Sequence, residues 1–110
     1  MKVVHLKTPS GHYNSSSDAL DEYDLAKAKE QGADLVIYWY SSGDYKGSGN
    51  ALVRKDGLWT HCRLSHCSCD GPGEGPYPGP GESLDSIEAR MSGYLLTECA
   101  ELLARARRYK

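Results

Sequence analysis

"DLVIYWYSSGDYKGSGNALVRKDGLWTHCRL", Asp34 to Leu64, decides the fold. Its centre is Asp56-Gly57, set between two runs with strand composition, "NALVRK" and "LWTHCRL". A two-residue hairpin turn of the primed type needs positive φ at both central positions, and Asp-Gly is among the pairs that supply it. The turn fixes the pairing. Val53 stands opposite Thr60 and Ala51 opposite Cys62, with Leu58 and Leu64 on the same side. Arg54 stands opposite Trp59 and Leu52 opposite His61, with Arg63 nearby. The first side reads as the core and the second as mixed and partly wet. Cys62 is then a buried packing thiol, and His61, its neighbour in sequence, points the other way.

"DLVIYWY" (34–40) is the strongest strand in the chain. Leu35, Ile37 and Trp39 share one face; Val36, Tyr38 and Tyr40 share the other. Both faces are apolar or aromatic, so the strand belongs in the middle of a sheet. One face should be covered and the other at least lined with tyrosine. The turn region "SSGDYKGSG" (41–49) holds three glycines but neither the Gly-x-Gly-x-x-Gly order nor a Gly-Lys-Ser/Thr, so it reads as a hairpin loop and not as a phosphate cradle.

Upstream, "KVVHL" (2–6) is a short β-rich run suited to an edge. Ser17 can cap a helix over 18–31, with Asp18, Asp21 and Glu22 in its first turn and Gly32 as its stop. Downstream, "GPGEGPYPGPGE" (71–82) holds four of the five prolines, with Tyr77 at its middle. It reads as a stiff, irregular connector. Ser83 then caps a final helix whose apolar stripe is Leu84, Ile87, Met91, Leu95, Cys99, Leu102 and Ala106. At ~24 residues it spans ~36 Å, and Gly93 inside it costs about 1 kcal/mol relative to Ala. The predicted class is α+β in a single domain, 1–110. An antiparallel sheet of three to four strands (34–41, 48–55, 58–64, with 2–6 at an edge) carries the long C-terminal helix on one face, with the second helix at 18–31.

The totals narrow the function. A net charge of −2 argues against bulk attraction to nucleic acid or acidic membranes. No run approaches the ~20 apolar residues of a membrane span, and the N-terminal apolar stretch is short for a signal sequence. The expected location is the cytoplasm, where the four cysteines serve as thiols or metal ligands and not as a disulfide framework. Eight tyrosines, two tryptophans and no phenylalanine suit half-buried or contact surfaces.

"HCSC", His66 to Cys69, follows the third strand of this stretch directly. Zinc takes four N/S ligands, usually as two pairs, and one Cys-x-Cys pair beside a histidine offers His66, Cys67 and Cys69. A thiolate beside an imidazole is also the minimum for covalent catalysis, with Asp70 as an orienting carboxylate. A tight turn of small polar side chains after a strand is the third reading. All three stay open at this point.

The segment "GSGNALVRKDGLWTHCRLSHCSCDG" resembles a recurring segment of small, uncharacterised proteins of bacteriophage and prophage genomes. There a tyrosine-rich strand leads through a Gly-rich turn and an Asp/Asn-Gly hairpin to Ser-His-Cys-Ser-Cys-Tyr-Gly. The likeness covers about residues 35–71, with Ser65, His66, Cys67, Ser68, Cys69 and Gly71 matching and Asp70 in place of the usual tyrosine. It implies a viral or mobile-element origin and assigns no chemistry.

The expected function is therefore non-enzymatic. A small phage-type accessory protein is expected to engage a host protein in the host cytoplasm, as an inhibitor of host defence. The expected contact surface is Tyr38, Tyr40, Tyr45, Trp59, His66 and Tyr77. The first alternative is a zinc- or thiol-dependent protein built on His66, Cys67 and Cys69. The second is nucleic-acid binding through Arg105, Arg107 and Arg108 at the end of the last helix.

Overall fold

The computed structural model describes residues 1–9, 17–43, 46–66 and 75–109. Its elements are β1 (Lys2–His5), α1 (Glu22–Glu30), β2 (Leu35–Gly43), β3 (Lys46–Lys55), β4 (Leu58–His66), α2 (Leu84–Arg90) and α3 (Gly93–Ala106). The class is α+β, with the four strands in the order β1-β2-β3-β4.

The register of β3 and β4 matches the hairpin reading: Val53 pairs with Thr60, Ala51 with Cys62, Arg54 with Trp59 and Leu52 with His61. Asp56 and Gly57 have φ of 53° and 80°, the two positive values this turn demands. β2 pairs antiparallel with β3 from Leu35↔Arg54 to Gly43↔Lys46. β1 is the exception to an antiparallel sheet. It pairs parallel with β2, Lys2 beside Leu35 and His5 beside Tyr38. The cause is the connection: the chain returns through α1 before entering β2, and a helical crossover brings the next strand in parallel.

Both faces of the sheet carry buried apolar side chains, and the face expected to be mixed and partly wet keeps Arg63 exposed and Arg54 and His61 half-buried at its rim. Leu35, Ile37, Trp39, Leu52 and Trp59 pack against Ile87, Met91, Cys99, Leu102, Leu103 and Ala106 of the C-terminal helices. This is the face that carries Arg54 and His61 and reads as partly wet in sequence. Its inner polar groups find partners under the helices: the His61 Nε2 lies 2.8 Å from Asn50 Oδ1, and the Trp39 indole N–H donates to the Glu98 carbonyl at 3.0 Å. The opposite face, Val36, Tyr38, Tyr40, Ala51, Val53, Cys62 and Leu64, is covered by Leu20, Ala28 and Ala33. Leu58 departs from its expected core place. It sits beside the hairpin turn and is 47% exposed.

Residues 75–82 of the Gly/Pro connector close this second face as a strap. The Cys62 thiol donates to the Tyr77 carbonyl at 3.1 Å. The Gly79 N–H donates to Thr60 Oγ1 at 3.0 Å. Trp59 and Glu82 exchange two backbone hydrogen bonds, so the strap ends as a one-residue bridge on the free edge of β4. Gly75 has φ of 74° and lies against α1, where a Cβ would stand 1.9 Å from the Asp24 carbonyl oxygen. A side chain cannot be tolerated there.

Two helix boundaries differ from the pattern reading. α1 starts at Glu22, not 18, because Asp21 makes a reciprocal capping box with Asp24. Residues 17–20 are occupied elsewhere. The Asp18 N–H donates to the Tyr40 carbonyl, the Asp18 carboxylate accepts from Ser42 N and Oγ at 2.7 and 2.6 Å, and the Leu20 N–H donates to the Tyr38 hydroxyl. The single long C-terminal helix is two helices. Met91 is extended (ψ 142°), and Gly93 opens α3 at φ 54°. The apolar stripe survives the break, since Ile87 and Met91 before it and Cys99, Leu102 and Ala106 after it are all buried.

Candidate functional site

At the hairpin end of the sheet, three elements leave a groove of about 720 Å³. Its walls are Leu58 and Trp59 at the start of β4, Ser83, Leu84 and Asp85 at the start of α2, and Ala106, Arg107 and Tyr109 at the end of α3. Asp34, Arg54 and Gly57 complete the rim. The size lies within the ~300–1,000 Å³ of ligand-accepting clefts. The lining is largely apolar: Trp59 is 5% exposed and belongs to the core, Leu84 is half-buried against that core, and Leu58 is exposed.

The charges on the rim are already paired. Arg54 binds Asp34 with two hydrogen bonds of 3.1 Å, donates a third of 3.2 Å to the Tyr109 carbonyl, and lays its guanidinium 5.7 Å from the Trp59 ring. One side chain thus ties β2, β3 and the end of α3 to the aromatic floor. Arg107 donates to Asp85 at 2.9 Å and also to Glu88, joining α3 to α2. These two carboxylates hold its guanidinium still more firmly protonated, Glu88 first. Lys2 lies over the Tyr109 ring at 4.9 Å. With its charges compensated, the groove presents an aromatic and aliphatic floor with hydrogen-bonded walls. Such a surface suits an inserted apolar side chain better than an ion.

A second cluster lies beneath α3. The His61 Nε2 faces Asn50 Oδ1 at 2.8 Å and the Cys99 Sγ at 3.7 Å. Burial is the first cause that lowers the His61 pKa, and Arg63 and Arg90 add to it. Burial pushes the Cys99 thiol up to about 12, with Glu98 contributing. A nucleophilic thiol needs the opposite shift. Both neighbours also contact the same ring nitrogen, whereas a relay needs the orienting group on the other one. The cluster is therefore a satisfied buried polar pair. Sequence reading places Cys99 on the core stripe and His61 on the mixed face, but does not bring them together. The missing signal is that the stripe packs on that very face.

The expected contact residues are scattered. Tyr38 and Tyr40 are 2% and 5% exposed, so the open tyrosine face is not there. Their side chains face the α1 side, and burial raises both phenol pKa values. His5 stacks on Tyr38 at 4.8 Å. Trp59 is buried too, yet it forms the groove floor. Tyr77 is 40% exposed on the strap, with Lys27 over its ring at 5.1 Å. Tyr45, Cys67, Cys69 and the His66 side chain lie outside the described residues. Among the described residues no three His, Cys, Asp or Glu side chains converge as metal ligands. Of the basic trio, Arg107 is engaged by two carboxylates, and Arg105 is partly buried. No helix among the described residues is long and apolar enough to cross a membrane. No protein-family model matches the chain, and neither a curated protein nor a solved structure matches it significantly.

Proposed function

We propose that the chain acts by binding and not by catalysis: a small phage-type accessory protein that holds an apolar side chain of a host protein in the groove between the β3–β4 hairpin and the C-terminal helices. The observation that carries this reading is the groove itself, with Trp59 as its floor and both rim arginines committed to carboxylates. A partner entering it displaces water from Leu58 and Leu84 without having to break or supply a charge. The resemblance of residues 35–71 to phage proteins supports a host protein as the partner, and interference with host defence is the role it suggests.

Leu58 is the residue to test, because it is half exposed and its replacement leaves the core intact. The immobilised chain recovers its partner from bacterial lysate. Leu58→Asp places a charge on the apolar floor and lowers recovery at least about tenfold, as loss of a central anchor contact does. Tyr94→Ala, at an exposed position on α3 outside the groove lining, leaves recovery unchanged. Equal recovery by wild type and Leu58→Asp contradicts the proposal.

A further inference from the structure

The hairpin-end groove holds hydrogen-bonding capacity that the fold leaves unspent. A guanidinium carries five N–H donors. Arg54 spends three of them, two on the Asp34 carboxylate and one on the Tyr109 carbonyl, and the other two have no acceptor among the described residues. The side chain is 22% exposed, lines the groove and lies against the Trp59 ring. Asp85, at the start of α2, brings the opposite capacity. Its Oδ1 accepts from Arg107, while Oδ2 has no donor among the described residues and the side chain is 89% exposed. Arg107 keeps donors of its own, but it is more open than Arg54, at 41%, and is held to Asp85 and Glu88.

An occupant of the groove takes water away from these groups. A lone apolar side chain on Leu58, Trp59 and Leu84 would leave the two Arg54 donors unpaired, and an unpaired buried donor costs more than a made hydrogen bond gains. The occupant therefore brings an acceptor to Arg54 and a donor to Asp85. Neither is a charge, since Asp34 and Arg107 already neutralise the two side chains. The peptide unit fits this set, with one C=O and one N–H beside each side chain. Inside a helix both are bonded to residues four positions away, so only an extended segment has them to give. We propose that the groove's occupant is an extended segment of the partner, with one apolar side chain on Leu58, Trp59 and Leu84, a main-chain carbonyl on Arg54 and a main-chain N–H on Asp85 Oδ2. The apolar pocket selects the side chain and the main-chain bonds add affinity, as in other sites that read extended peptides. This inference rests on the binding role proposed for the groove and names the form of what enters it.

Amide chemical shifts, followed on the whole chain, test this with two small probes. N-acetyl-leucine N-methylamide has the side chain and both peptide units. Methyl 2-acetoxy-4-methylpentanoate has the same side chain and carbonyls, with ester oxygens in place of both N–H groups. The amide probe shifts the signals of Leu58, Leu84 and Tyr109 with a dissociation constant on the order of 1 mM, as its size allows. The ester binds about fivefold more weakly, the loss of one hydrogen bond. Both move the Arg54 Nε–H signal, since both keep the carbonyls. Asp85→Ala removes the acceptor and with it most of the difference between the probes. Asp85→Asn keeps a carbonyl oxygen there and restores the difference. Equal binding of the two probes to wild type, a preference that survives Asp85→Ala unchanged, or an Arg54 signal that neither probe moves overturns the inference and leaves the apolar groove in place. Groove signals unmoved by either probe well above that concentration overturn the groove reading as well.

Discussion

The Cys62 thiol donates to the carbonyl oxygen of Tyr77 at 3.1 Å, and through that bond the β4 strand holds the Gly/Pro strap against the sheet. The strap buries Pro76 and Pro78, and its position rests on that packing together with this contact, Thr60 and the Trp59–Glu82 bridge. Cys62→Ala removes the donor and leaves the Tyr77 carbonyl to find another. The expected loss is about 1–2 kcal/mol of unfolding free energy, from one hydrogen bond and a small packing deficit. Urea denaturation checks it, and an unchanged midpoint contradicts the anchoring role.

Gly93 gives a prediction whose sign distinguishes two folds. Inside one continuous helix, Gly93→Ala stabilises by about 1 kcal/mol. Here Gly93 stands at φ 54° and opens a new helix, with nothing within 4 Å of a built Cβ. Alanine at positive φ costs about 1 kcal/mol or more. Thermal or urea unfolding of Gly93→Ala should therefore show a loss. A gain means that α2 and α3 are one helix.

The start of α1 is tested by two caps. Asp21 makes the capping box with Asp24, while Ser17 accepts a hydrogen bond from the Thr8 N–H, away from the helix. Asp21→Ala should cost about 1 kcal/mol, the usual value of a lost N-cap. If the helix instead began after Ser17, Asp21→Ala would be near neutral on unfolding. Denaturation curves of the variant decide.

His61 sets a pH dependence. Its pKa is lowered in the folded chain, chiefly by burial. Above the unfolded value of ~6.5 both states hold it neutral, and it contributes no pH slope. As pH falls below that, the unfolded chain takes up a proton that the folded chain refuses, so stability declines until the folded pKa is reached. Glu82 acts lower on the scale. Arg90 and Ser86 depress its pKa, so the stability it contributes is present above its unfolded value and is lost as pH falls through the folded one. His61→Gln keeps a hydrogen-bonding group near Asn50 and should flatten the decline below pH ~6.5 while leaving the lower one. An unaltered profile contradicts the assignment to His61.

Much of the sheet is legible in the residues. Asp56-Gly57 sets the β3–β4 register, and the doubly apolar pattern of 34–40 makes β2 central. What is not legible is which side each face meets. Arg54, His61 and Arg63 make their face look wet, and Arg63 is exposed, yet Arg54 is held by Asp34 and His61 meets Asn50 and Cys99 beneath α3. The tyrosines look like a contact surface because their tips are polar. Tyr38 spends that tip internally, on the Leu20 N–H. The parallel β1 depends on a crossover, and the helix break on one backbone angle, neither of which a periodicity registers. The groove joins Leu58, Leu84 and Tyr109 from three distant parts of the chain, so no local motif announces it.

Hydroxyl-radical footprinting of the chain, free and with its captured partner, tests the binding account most directly. The account predicts protection at Leu58, Leu84 and Tyr109, with Tyr23 and Tyr94 as reactive as in the free chain. Protection confined to Tyr77 or Tyr94, with the three groove residues unchanged, would contradict it.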